Sequence, residues 1–168
     1  MRVAVTGTPG TGKTTAAENL NTDLDVVHLN EIIREEALYE RVDEDRDSVV
    51  ADLDAVSDWL GERDDVVIDS HLAHHLDVDR VVVLRCRPDV LEERLIERGE
   101  GEASAAENAE SEALDVILSE AVDAHGHESV YEIEATERAP EEVAAAIEAV
   151  IDGERDPSAG GVSYLEYL

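Results

Sequence analysis

Residues Gly7-Thr8-Pro9-Gly10-Thr11-Gly12-Lys13-Thr14-Thr15 follow the spacing G-x-x-x-x-G-K-[ST]. They lie between an apolar segment and a helix-forming one, the context in which this spacing makes a phosphate-binding loop. Glycines let such a loop curl until successive backbone N–H groups and the start of the following helix face phosphate oxygens. Positive potential is thereby supplied without side-chain bulk. Lys13 can reach the β and γ oxygens, the Thr14 hydroxyl can hold magnesium, and Thr15 can cap the helix or contact the α-phosphate region. Lys13 is the only lysine among 13 basic residues, which disfavours reading it as a leftover surface lysine. It also disfavours a guanine-specific switch, because the Asn-Lys-x-Asp loop that reads guanine needs a second lysine.

Asp69 closes the apolar run Val66-Val67-Ile68, where the companion carboxylate of a phosphate-binding loop holds magnesium directly or through water. The plainer reading is an aspartate capping a turn. Three histidines follow: His71, His74 and His75. Together they could bind zinc, but no cysteine lies nearby to support a structural metal. His71 is therefore read as an active-site group, and His74 and His75 as solvated loop residues. Neutralising two nucleotides takes cations, and in an acidic chain the candidates are Arg34, Arg85, Arg87, Arg94 and Arg98. Arg98 precedes Gly99 and a small-residue stretch, Glu100 to Ala106, that could form a short lid. If Arg98 were merely paired on the surface, its acid would have to come from beyond its helix, for example Glu102, since Leu95 and Arg94 occupy the neighbouring helical positions.

The elements that must position these groups alternate between short apolar strands and amphipathic helices, the signature of a mostly parallel sheet covered on both faces. Five strands are predicted: Arg2 to Thr6, Val26 to His28, Val66 to Asp69, Val81 to Arg85 and Val130 to Ile133. They are β-branched and brief, as buried parallel strands are. Helices are predicted over Lys13–Asn21, Leu29–Tyr39, Val49–Leu60, Pro88–Arg98, Ser104–Ala124 and Pro140–Ile151. Pro88 and Pro140 suit a first helical turn. The fold class expected is α/β, a doubly wound parallel five-stranded sheet over residues 1–152, with residues 153–168 as a C-terminal tail. That tail reads as a flexible end, the alternative being that its aromatic tip docks on the body or a partner.

With 168 residues the chain can bury a proper core as one domain. Its net charge is −30, from 43 acidic residues, and the acids are spread along the whole sequence. Acidic disorder is excluded by 43% hydrophobic residues arranged in periodic blocks. A folded domain from a high-salt cytoplasm accounts for both, since concentrated cations screen the self-repulsion of a dense acidic surface. Such a field opposes direct nucleic-acid binding. The lone Cys86 excludes an internal disulfide. No long apolar segment opens the chain or runs far enough to span a membrane, so a cytoplasmic location is expected.

Taken together, the loop, Arg34-Glu35-Glu36, Asp69-x-His71, and Arg94-Leu95-x-x-Arg98-Gly99 followed by Glu107-Asn108 resemble the small adenylate kinases of archaea and the eukaryotic nucleus. Those proteins are P-loop nucleoside-monophosphate kinases linked to late maturation of the small ribosomal subunit. The resemblance covers roughly residues 2 to 150. It implies that Gly10, Gly12, Lys13, Thr14 and Thr15 bind ATP, with Arg98 reaching it from a lid of about 97–107. A monophosphate-binding insert would span about 28–51, and Thr14 and Asp69 would hold Mg2+. The resemblance further implies transfer of a phosphoryl group from ATP to AMP or another monophosphate, ATPase activity, and a small-subunit ribosomal protein as partner. The segment after Asp69 lacks the Gly-Phe-Pro-Arg run of ordinary adenylate kinases, which assigns the acceptor phosphate to Arg34. Glu100 stands where relatives often carry an aromatic. An ATPase assembly factor and a small-metabolite kinase are the alternative functions.

The charge makes a first prediction. The range of electrostatic repulsion is about 10 Å at 0.1 M salt and about 3 Å at 1 M, so the thermal midpoint should climb steeply between 0.1 M and 2 M potassium chloride. A flat midpoint, followed by circular dichroism, would remove the high-salt reading.

Overall fold

The computed structural model describes residues 1–45 and 48–168. In chain order the elements are β1 (Arg2–Thr6), α1 (Lys13–Glu18), β2 (Asp25–His28), α2 (Leu29–Glu35), β3 (Tyr39–Asp43) and β4 (Ser48–Ala51). There follow α3 (Leu53–Leu60), β5 (Val66–Asp69), β6 (Arg80–Arg85), α4 (Pro88–Glu97), α5 (Glu102–Ala113), α6 (Val116–His125), β7 (Val130–Glu134) and α7 (Pro140–Ile151). Five strands form the doubly wound parallel sheet that the sequence predicts, in the order β2-β5-β1-β6-β7.

Alternation along the strands decides which helix covers which face. Ala4, Ile68, Val81 and Val83 point to one side and pack with residues of α2, α3 and α6. Val3, Val5, Val67, Val82 and Leu84 point to the other and pack against α1 and α7 through Ala16, Val143 and Ile147. Both faces are thus apolar, which is why the strands read as continuous β-branched runs. No helix among the described residues is long and apolar enough to cross a membrane.

Three predicted helices are corrected. The helix expected over Leu29–Tyr39 stops at Glu35, with Ala37 in the left-handed region (φ 54°) and the Leu38 amide bonded back to the Ile33 carbonyl. A left-handed position is normally marked by glycine, so an alanine there leaves no stop signal to read. The helix expected over Val49–Leu60 begins at Leu53, where the Asp52 carboxylate accepts from the Ala55 amide at 3.1 Å as an N-cap. Tyr39 and residues 49–51, expected to be helical, belong instead to an antiparallel pair, β3 and β4. It falls within residues 28–51, the range over which an insert is expected and of which residues 46 and 47 lie outside the described residues. The single helix expected over Ser104–Ala124 is two, broken at Asp115, which is itself left-handed (φ 55°). Neither glycine nor proline marks that break.

Its cause lies in Arg85, whose side chain is fully buried at the end of β6. Nη2 donates to Asp115 at 2.6 Å and to the Glu112 carbonyl at 3.1 Å, while Nη1 donates to Glu132 at 2.6 Å. Nε lies 3.3 Å from the Glu112 carboxylate without the alignment of a hydrogen bond. Burial works against the guanidinium charge, but the three acids outweigh it and hold its pKa above the ordinary value. Arg85, a candidate phosphate ligand in the sequence, is therefore a structural cation.

The tail, expected as a flexible end, lies against the body. Ser158 bridges β7 beside Tyr131, and the Gly161 and Val162 amides donate to Glu132 at 2.9 and 3.1 Å. Tyr164 is buried, donates to Glu134, and lies 5.3 Å from the Arg85 guanidinium.

Replacing Arg85 with methionine keeps the volume but strands Glu112 and Glu132 without their cation. The loss should be about 3–5 kcal/mol, as for other broken buried pairs, read as a lower denaturant midpoint at fixed salt.

Candidate active site

The loop between β1 and α1 turns at Gly10 (φ +93°) and Gly12 (φ +94°). These angles suit glycine. A Cβ on Gly10 would also lie 3.0 Å from Leu95 and 3.2 Å from Leu91 of α4, so the loop is seated directly on that helix. Inside it, the Thr11 hydroxyl donates to the Thr8 carbonyl at 2.9 Å, and the Thr8 hydroxyl donates to Glu112 of α5 at 3.1 Å. Glu112 also accepts from the Cys86 amide at 2.8 Å. A buried carboxylate therefore ties the loop to the end of β6.

Lys13 is buried, and its ammonium donates to the carbonyls of Gly7 and Thr8 at 2.9 and 3.2 Å. Burial lowers its pKa to about 8; Asp69 and Glu112 oppose that shift and Arg98 adds to it. Thr14 and Thr15 are exposed on the first turn of α1. With Lys13 and the loop glycines they line a cavity of about 710 Å³ above the carboxyl ends of the strands, within the usual range for small-molecule sites. Asp69 and His71 line it from the end of β5.

Asp69 is buried and its carboxylate is paired with His28 Nδ1 at 2.8 Å. The two residues are direct register partners of β5 and β2, so the sheet itself brings them together. Next to them the Ser70 hydroxyl donates to Asn30 of α2 at 2.8 Å. Thr14 and Asp69 supply a hydroxyl and a carboxylate to the same cavity, an all-oxygen donor set that suits Mg2+.

Among the described residues four cations line the cavity: Lys13, Arg94, Arg98 and Arg138. Three acids accompany them, Glu31, Asp69 and Glu97, so a chain of net charge −30 presents here a locally balanced surface. Arg94 is aimed by the Thr136 carbonyl at 3.1 Å. Of the five arginines picked out in the sequence, Arg94 and Arg98 line this cavity; Arg34 is exposed on α2 outside its lining. Arg87 is paired with Asp89 at 2.7 Å on the surface, held there because both flank the start of α4. His74 is not a solvated loop residue: it is 1% exposed and bonded to Thr6 and Glu120, each at 2.7 Å. The sequence reading missed His28, Asn30 and Arg138. His28 alone had a signal, as a polar residue ending a strand that must lie beside the strand of Asp69.

A family profile described as "AAA domain" matches residues 3–115. The chain is 69% identical to a protein of Natronomonas pharaonis named "Putative adenylate kinase", over the full length of both. It is 60% identical, again over both full lengths, to the protein of that name from Halobacterium salinarum. A third, from Methanosarcina acetivorans, is 44% identical across 90% of this chain and 87% of its own length.

Burial, with Lys13, His74 and His75 adding to it, pushes the His71 pKa down to about 4. Its imidazole is therefore neutral at pH 7, and it can accept or donate one hydrogen bond. Between the ordinary 6.5 and 4 the unfolded chain binds a proton that the folded chain does not. Stability should accordingly fall as the pH drops through that window and be independent of His71 above it. His74, shifted the same way by burial, adds to the slope. Denaturant titrations at pH 7.5 and 5 should show the loss, with His71→Gln reducing it.

Proposed function

The chain belongs to the AAA-domain P-loop family that includes these archaeal relatives, and on that premise we propose that it is a nucleoside-monophosphate kinase. Its reaction would be the reversible, Mg2+-dependent transfer of the terminal phosphoryl group of ATP to AMP or a related monophosphate. The observation that carries this reading is the single cavity that joins the phosphate loop, the Asp69 strand end and three arginines while reaching Asn30 and Glu31 of α2. One wall suits a triphosphate and the other leaves room for an acceptor.

The loop amides of residues 10–15 would bind the β-phosphate. Lys13 would exchange the Gly7 and Thr8 carbonyls for phosphate oxygens, an exchange favoured because its ammonium is held only by neutral acceptors. Thr14 and Asp69 would hold Mg2+, which would supply neutralisation of phosphate charge. His28, paired with one Asp69 oxygen at 2.8 Å, would hold that carboxylate in place. Arg94 and Arg98 would neutralise the transferred group, with Arg98 entering from the turn within the proposed lid, about 97–107. Arg34 would reach the acceptor phosphate from the proposed insert, about 28–51. Catalysis would consist of positioning and electrostatic stabilisation, with no covalent enzyme intermediate. The acidic surface would keep the enzyme soluble in a concentrated-salt cytoplasm.

His71 favours a second activity. A neutral, half-buried imidazole on the cavity wall can order an attacking water, so ATP hydrolysis would accompany transfer. An ATPase assembly factor acting with a small-subunit ribosomal protein is the corresponding alternative role.

A coupled assay at molar salt, with and without AMP, tests both readings. Lys13→Ala should lower turnover below about a tenth of wild type, because several kcal/mol of transition-state stabilisation go with such a contact, while circular dichroism stays unchanged. His71→Ala should depress AMP-independent hydrolysis much more than AMP phosphorylation, since the monophosphate brings its own nucleophile. AMP-independent hydrolysis that exceeds transfer throughout would favour the assembly-factor role.

A further inference from the structure

Behind the phosphate loop, the turn Ala73–His75 meets α6. His74 Nε2 lies 2.7 Å from one carboxylate oxygen of Glu120, and His75 Nε2 lies 3.6 Å from the same oxygen. The two rings sit side by side, centroids 4.2 Å apart at 38°, and the three ligand atoms all fall within 4.8 Å of one another. We propose that His74, His75 and Glu120 form a binding site for one divalent transition-metal ion of the zinc class, separate from the Mg2+ site.

The donor chemistry and the hydrogen bonds around the ligands both favour this. Two imidazole nitrogens and one carboxylate make a donor set for zinc, cobalt or nickel, whereas magnesium and calcium take oxygen. Tetrahedral zinc holds its ligands at about 2.0–2.1 Å and therefore roughly 3.3 Å from one another, so the His74–Glu120 pair at 2.7 Å must open and the His75–Glu120 pair at 3.6 Å close, each by a fraction of an ångström. Most of that adjustment falls on the mobile partners, since the side chains of His75 and Glu120 are 35% and 45% exposed while His74 is 1% exposed. The same exposure leaves a fourth position open to water.

His74 is already oriented as a metal ligand requires. Its Nε2 faces the Glu120 carboxylate at 2.7 Å and its Nδ1 the Thr6 hydroxyl at 2.7 Å; a cation replacing the Nε2 proton would leave the remaining proton on Nδ1, donated to the Thr6 oxygen, which fixes the ring as a ligand. His125 Nε2 donates to the His74 carbonyl at 2.7 Å, which fixes the backbone of the turn that carries both ligands. An ion here would clamp the segment after β5 to α6 next to Thr6, the last residue of β1.

The test uses the full chain, stripped of metal by a chelator and held in molar potassium nitrate so that chloride does not compete. Titration with Co2+ should raise the strong visible bands of a four-coordinate site, saturating at one equivalent and displaced by Zn2+. His75→Ala and Glu120→Gln, at exposed positions outside the phosphate cavity, should each abolish them. Zn2+ in hundredfold excess over its Kd should raise the wild-type Tm by about 5–10 °C and leave both variants unmoved, and Mg2+ should not reproduce the rise. Weak bands of hydrated, six-coordinate Co2+ alone overturn the proposal. So do four-coordinate bands that persist in both variants, because they would place the ion elsewhere.

Discussion

A strongly acidic chain that is to bind a polyanion must obtain attraction from groups that carry no formal charge. The phosphate loop of the candidate site follows from that constraint, with a few cations placed around it. Backbone amides in a curled loop supply positive potential without adding lysines, and the chain spends its one lysine at the centre of that loop. Glycines with positive φ are needed for the amides to converge, and one of them is pressed against Leu91 and Leu95. The loop's shape therefore depends on how α4 packs, and Arg94 of α4 and Arg98 just after it reach the cavity as part of the same packing.

Arg85 shows the other side of the same economy. In so acidic a chain a buried guanidinium is a means of gathering carboxylates rather than of binding substrate, and it organises Glu112 of α5, Asp115 at the break before α6 and Glu132 of β7. Glu112 passes this order to the Thr8 hydroxyl. Glu132 passes it to the tail through the Gly161 and Val162 amides. The C-terminal segment and the phosphate loop are thus joined through one ion cluster, although they are far apart in sequence.

Sheet and loop were legible because they are specified locally. The β-branched runs before Gly7 and around Asp69 carry their own length limits, and the loop spacing carries its own chemistry. What escaped depended on unmarked left-handed residues or on partners remote in sequence. Ala37 and Asp115 turn the chain where glycine would have announced the turn. His28 acquires its role only when β2 is laid beside β5, 41 positions away in sequence. Similarly, His74 reads as a loop residue until Thr6 and Glu120 close around it. Arg85 and Arg94 are indistinguishable by composition, and only the packing of β6 against α5 and β7 separates the buried cation from the one that faces the cavity.

The bridge between Ser158 and Tyr131 has a meaning beyond anchoring the tail. β7 is the last strand on its side of the sheet, and an uncovered strand edge is a template for pairing with another chain. The Ser158 amide and carbonyl occupy the Val130 carbonyl and the Glu132 amide at 3.0 and 2.7 Å. The tail is in this sense a guard against self-association. A nascent chain that has completed β7 but not yet released residue 158 from the ribosome passes through a stage in which its sheet is complete and its edge is open.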